Sequence, residues 1–93
     1  MSLLSKDAIE HHLEDLENWI YSNNQLEKEF SFKDFIEASS FVTSVGLEAE
    51  KMDHHPDIFI HSWNKVKISV STHSEGGVTE KDFQLAKKIE ARI

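Results

Sequence analysis

A chain of 93 residues with 39% hydrophobic and 29% charged side chains can build one core burying roughly 60–65% of its unfolded surface and has no length for a second. One domain over residues 1–93, with a shallow site and no deep private cavity, is therefore expected. The formal charge of −7 argues against nucleic-acid and membrane-surface partners. The lack of cysteine removes disulfides and thiolate chemistry, and without a leader-like start or an apolar run near the ~18 residues of a membrane span the expected location is the cytoplasm.

Ser5 precedes Ile9, Leu13 and Leu16, whose helical spacing predicts a first helix of about ten residues with His11 and His12 on its solvated face. Trp19-Ile20-Tyr21 reads as a short strand and Asn23-Asn24 as a hairpin turn, since asparagine tolerates positive φ. Leu26, Lys28, Phe30 and Phe32 then alternate with Glu27, Glu29 and Ser31, the pattern of a half-buried second strand. Ser31 to Asp34 has the spacing of a capping box and opens the longest helical pattern, with Phe35, Ala38, Phe41, Val42, Val45, Ala49 and Met52 at steps of three and four. Ile36 and Leu47 widen that stripe, as in a helix that meets more than one surface. Gly46 within it costs up to about 1 kcal/mol relative to alanine and is expected to permit close packing.

Pro56 disfavours helical dihedrals at His55, so this helix is expected to stop near Asp53 or His54. Ile58 to Trp63 forms the third predicted strand, with His61 packed between Phe59 and Trp63, and Asn64 marks a turn. In the fourth, Val66, Ile68, Val70 and Thr72 point one way and Lys65, Lys67, Ser69, Ser71 and His73 the other. A loop at Glu75-Gly76-Gly77 leads to Thr79-x-x-Asp82, which caps a last helix burying Phe83, Ala86, Ile89 and Ile93. The order α-β-β-α-β-β-α implies an α+β fold of two layers, a four-stranded, mostly antiparallel sheet with three helices on one face.

The chemistry concentrates in Glu50-Lys51-Met52-Asp53-His54-His55-Pro56 and in His73. Histidine exchanges protons near neutrality without special tuning, so a cluster of it suggests an acid/base site. Adjacent histidines within a strand face opposite ways, but at a helix end both can serve one site. Glu50 stands four residues before His54, the spacing at which a carboxylate orients a ring on the same helical face. His73 ends the polar face of the fourth strand beside two glycines, where backbone can approach a ligand closely. The competing reading is that these histidines merely cap a helix and meet water. A His/carboxylate metal site drawing on Asp53, Asp57 or Glu75 is a further reading, weakened by the absence of His-x-x-x-His or His-Glu-x-x-His spacing.

Glu50, then His54-His55-Pro56, an aromatic at Trp63, His73 after Ser71-Thr72, and Asp82 in the final helix together resemble the pterin-4a-carbinolamine dehydratases. The resemblance is close from Glu50 to Asp82, and the element order extends it over nearly the whole chain. It implies dehydration of a 4a-hydroxytetrahydropterin to the quinonoid dihydropterin, without metal or organic cofactor, as the step that regenerates pterin after an aromatic amino acid hydroxylase. It further implies His54, His55 and His73 as catalytic residues, with His54 and His73 as general acid and base and His55 holding the pterin and assisting with the second proton. Glu50, Asp53, Pro56, Trp63 and Asp82 would be supporting or substrate-binding positions, although Asp82 also reads as an ordinary helix cap. A homodimer or homotetramer follows from the same resemblance, with Val45 on the long helix expected at an interface. The alternative it leaves open is a non-catalytic dimerisation or partner-binding protein on the same fold.

Overall fold

The computed structural model describes residues 2–93. Ser5 caps α1 (Lys6–Leu13) by accepting from the Ala8 amide at 3.1 Å. The helix ends earlier than its apolar spacing suggests, because tighter bonds such as Leu16 N to Leu13 O (3.1 Å) take over. Leu16 is buried all the same. Trp19 lies outside the first strand, buried edge-on against Phe30, with its indole N–H donating to Glu90 at 2.9 Å. β1 (Ile20–Ser22) and β2 (Gln25–Ser31) form the expected hairpin, and Asn23 and Asn24 both take the positive φ that its two-residue turn needs.

The capping box at Ser31 is not formed. Ser31 still pairs with Lys65 in the sheet and Phe32 N bonds Asn64 O at 2.9 Å, so the helix starts three residues later. Asp34 is the true cap, accepting from Glu37 N at 2.7 Å, and α2 runs Phe35–Met52. β3 (Asp57–His61) and β4 (Lys65–Val70) complete a sheet of order β1-β2-β4-β3 in which every pair of neighbours is antiparallel. β2 and β3 thus run the same way with β4 between them, and α2 makes the crossover. β3 stops two residues short of Trp63, because Ser62 and Trp63 both adopt left-handed backbone in the turn.

One sheet face supplies Leu26, Phe30, Val66, Ile68 and Val70 to the core. Against it pack Ala38, Phe41 and Val45 of α2 and Phe83, Leu85, Ala86 and Ile89 of α3 (Glu80–Glu90). Val45 is completely buried, so it belongs to this core and not to an interface. Phe35, Ile36 and Leu47 are more than half exposed, and a Cβ built on Gly46 would meet nothing within 4 Å. Part of the α2 stripe therefore faces away from the chain's own core. Ile93, expected in the core, lies past the end of α3 and is 67% exposed.

A hollow lined by three histidines

α2 gives up its helical phase at Asp53, whose left-handed backbone (φ 51°, ψ 45°) sends N–H groups back to Ala49 and Glu50. His54 and His55 therefore follow the helix instead of lying on it. His54 is 9% exposed, and its Nε2 sits 2.6 Å from Asp82 Oδ1 on α3. His55 is exposed and pairs through Nε2 with Glu50 Oε1 at 2.6 Å. The expected pairing of Glu50 with His54 is thus replaced, because the left-handed residue breaks the four-residue register between them. An exposed pair such as Glu50 with His55 contributes at most about 1 kcal/mol, so its effect is to orient.

Asp82 combines its two sequence readings. As the third residue of α3 it completes a capping box, with Oδ2 accepting from the Thr79 amide at 2.8 Å. The same oxygen accepts from Thr72 Oγ1 at 2.9 Å while Oδ1 faces His54. Three donors converge on one fully buried carboxylate, which satisfies a group that would otherwise be costly to bury. An ionised carboxylate can only accept, so opposite an ionised Asp82 His54 donates from Nε2, and a neutral ring then has its lone pair on Nδ1. Nδ1 bonds no described residue, and no buried side-chain nitrogen or oxygen among them lacks a partner, so Nδ1 is open to solvent.

β4 ends at Val70, and the chain passes through Ser71 and Thr72 into a 3-10 turn at His73–Glu75. His73 is therefore not a strand residue as its alternation suggested. Its backbone is held by the Thr72 carbonyl, which accepts from Glu75 N and Gly76 N at 3.0 Å each, and by the bridge between Thr72 and Gly77. Gly76 takes φ 75°, which glycine adopts without strain, whereas Gly77 has only the end of the exposed Leu3 side chain near it.

These segments enclose an open hollow of about 360 Å³, lined by Asp53, His54 and His55 from the end of α2, Ser71 to Ser74 after β4, and Lys81 from α3. Its size is that of a small-molecule site. Two imidazoles are exposed and the third is backed by a buried carboxylate, an arrangement able to give and take protons around one bound molecule. A larger apolar groove of about 510 Å³, lined by Phe30, Phe32 and Phe41, holds no histidine.

The other expected positions fall outside the hollow. Pro56 is half-buried between His55 and β3. Trp63 is 62% exposed in the turn before β4, with the whole of that strand, about 20 Å, between it and Ser71. His61 stacks on Phe59 at 5.1 Å, as expected of sheet packing, and bonds Glu29 on the open face. His12 is not simply solvated, for it pairs with Glu80 at 2.9 Å and lies against Phe83. Among the described residues, no three of His, Cys, Asp and Glu gather closely enough to hold a metal ion, and no helix is long and apolar enough to cross a membrane. Thr72, Thr79 and Lys81 were not singled out as site residues from the sequence. A hydroxyl on the buried face of β4's alternation was the available signal, since it had to find a partner.

Fold and hollow together define a small α+β protein with three histidines lining one hollow. The family model described as pterin 4 alpha carbinolamine dehydratase matches residues 2–92. A relative from Sulfolobus acidocaldarius, named "Putative pterin-4-alpha-carbinolamine dehydratase", is 51% identical over 92% of this chain and 93% of its own. One of the same name from Prochlorococcus marinus is 43% identical over the whole chain and 97% of its own. A crystal structure from Brucella melitensis, titled transcriptional coactivator/pterin dehydratase, superposes with a TM-score of 0.91 at 37% identity, covering 96% of each chain. The chain belongs to the pterin-4a-carbinolamine dehydratase family, and by class it is a hydro-lyase. A pterin dehydratase-like protein described as a RuBisCO assembly factor shares the fold alone, with a TM-score of 0.69 at 20% identity.

Proposed function

We propose that this protein converts a 4a-hydroxytetrahydropterin to the quinonoid dihydropterin and water, in the cytoplasm and without metal or organic cofactor. What carries the reading is the convergence of His54, His55 and His73 on one hollow in a chain of this family. The leaving hydroxyl at the ring carbon needs a proton, and the neighbouring ring nitrogen must lose one as the carbon–nitrogen double bond forms. Water departs and the proton count balances. His54, through its open Nδ1, and His73, from the 3-10 turn, serve as the acid/base pair. Coming from different segments of the chain, they can exchange roles for the two stereochemistries at the hydroxylated carbon. His55, oriented by Glu50, holds the ring and helps with the second proton. Each well-placed acid or base contributes about 10²–10⁴-fold.

The substrate comes from a reaction that leaves a hydroxyl on the pterin ring, such as that of an aromatic amino acid hydroxylase. The exposed face of α2, with Ile36, Thr43, Gly46 and Leu47, supports self-association into a homodimer or homotetramer, because such an apolar helix face seeks a partner surface. Stopped-flow dehydration of 4a-hydroxytetrahydropterin tests the catalytic reading. Changing His54 and His73 together to alanine is expected to abolish the enzymatic rate with the circular dichroism spectrum unchanged; full activity in that folded variant would overturn it. His55→Ala is expected to weaken binding of a pterin analogue up to about tenfold, the effect of losing one hydrogen bond.

A further inference from the structure

Thr72 occupies a position that the acid/base assignment does not use. It is 8% exposed, lies between the ends of β4 and the His73 turn, and touches both halves of the site. Through its carbonyl it holds the turn that carries His73. Through its hydroxyl it reaches Asp82 Oδ2 at 2.9 Å and Thr79 Oγ1 at 2.7 Å.

Counting hydrogens gives this small network a direction. A threonine hydroxyl has one proton, and a carboxylate can only accept. The Thr72 proton therefore points to Asp82, and its oxygen also lies against the Thr79 hydroxyl. Thr79 Oγ1 in turn accepts from Lys81 N at 3.3 Å. The Thr72 hydroxyl and the Thr79 amide thus both donate to Asp82 Oδ2, while His54 meets Oδ1. Linked bonds in a buried site polarise one another and leave few alternative arrangements.

We infer that Thr72 is a positioning residue for catalysis: its hydroxyl holds Asp82 in the orientation that keeps His54 in its Nε2–H form, with Nδ1 turned to the substrate. This rests on the acid/base role proposed for His54. Asp82 without the Thr72 bond retains the Thr79 amide on Oδ2, so it stays capped, but apart from His54 itself only that amide then fixes its orientation. His54 then samples the other tautomer, which places a proton where the lone pair is needed.

Thr72→Val removes the hydroxyl at nearly constant volume, and Thr72→Ser retains it. In long-range proton–nitrogen NMR of the full chain, neutral His54 in the wild type is expected to show a protonated Nε2 and a bare Nδ1. Thr72→Val is expected to show a mixture, and Thr72→Ser to restore the wild-type pattern. In the dehydration assay Thr72→Val is expected to lower kcat on the order of tenfold, the scale of one hydrogen bond to a charged group, with KM little changed. Added to Asp82→Asn it is expected to have little further effect, because both act through one element.

An unchanged His54 tautomer in folded Thr72→Val, or a serine variant as slow as the valine one, would overturn the inference. The NMR readout needs no turnover. If the tautomer shifts but no variant affects dehydration, the fault lies with the proposed reaction; if dehydration responds and the tautomer does not, it lies with the role given to Thr72.

Discussion

The left-handed backbone at Asp53 is what separates His54 from the helix before it and lets it reach Asp82. Non-glycine residues in this region carry a steric cost of about 1–2 kcal/mol, reduced for aspartate by local hydrogen bonding. Asp53→Ala is therefore expected to be less stable than Asp53→Gly by about 1 kcal/mol in urea denaturation. Equal midpoints would mean that the left-handed turn imposes no such demand. Asp82 shows the same economy of position, since one carboxylate closes the cap of α3 and faces His54. A sequence can announce a capping box by spacing, as Thr79 and Asp82 do, but the second oxygen's partner depends on where another helix ends.

Elements are tied across the fold at their ends. Arg92, past the end of α3, bonds through Nε to Glu48 of α2 at 2.8 Å. That hydrogen bond is the main reason the Glu48 carboxyl titrates below its ordinary range, and nearby Lys51 adds to it. A group with a lowered folded pKa stabilises the fold above its unfolded value and loses that contribution as pH falls through the folded one. Glu48→Gln is thus expected to lower the urea midpoint near neutrality and to match the wild type in acid below both values. A gap that persists unchanged at low pH would rule out this linkage. The helix and strand types were legible because periods of 3.6 and 2 are local properties. Their ends were not, as at Ser31 and Trp63, because sheet pairing and left-handed turns decided them.

At the scale of the molecule, α2 divides its apolar residues between the core and the surface. Val45 is completely buried, whereas Leu47 is 53% exposed. If the proposed self-association uses this face, Leu47→Asp is expected to leave the circular dichroism spectrum intact and to lower the mass in sedimentation velocity. Val45→Asp is expected instead to unfold the protein, since it buries an unpaired charge in a packed core. A folded Leu47→Asp variant with the wild-type mass would exclude this face as the interface.

Periodicity, capping spacing and the His54-His55-Pro56 signature were enough to settle the α+β order and to mark out the histidines, since these depend on neighbours within a few residues. The pairing of His54 with Asp82, of Glu50 with His55, and the exclusion of Trp63 from the hollow depended on the packing of distant segments. A one-residue change in where a helix stops rotates every side chain after it, and nothing local to the chain records which partner then lies opposite.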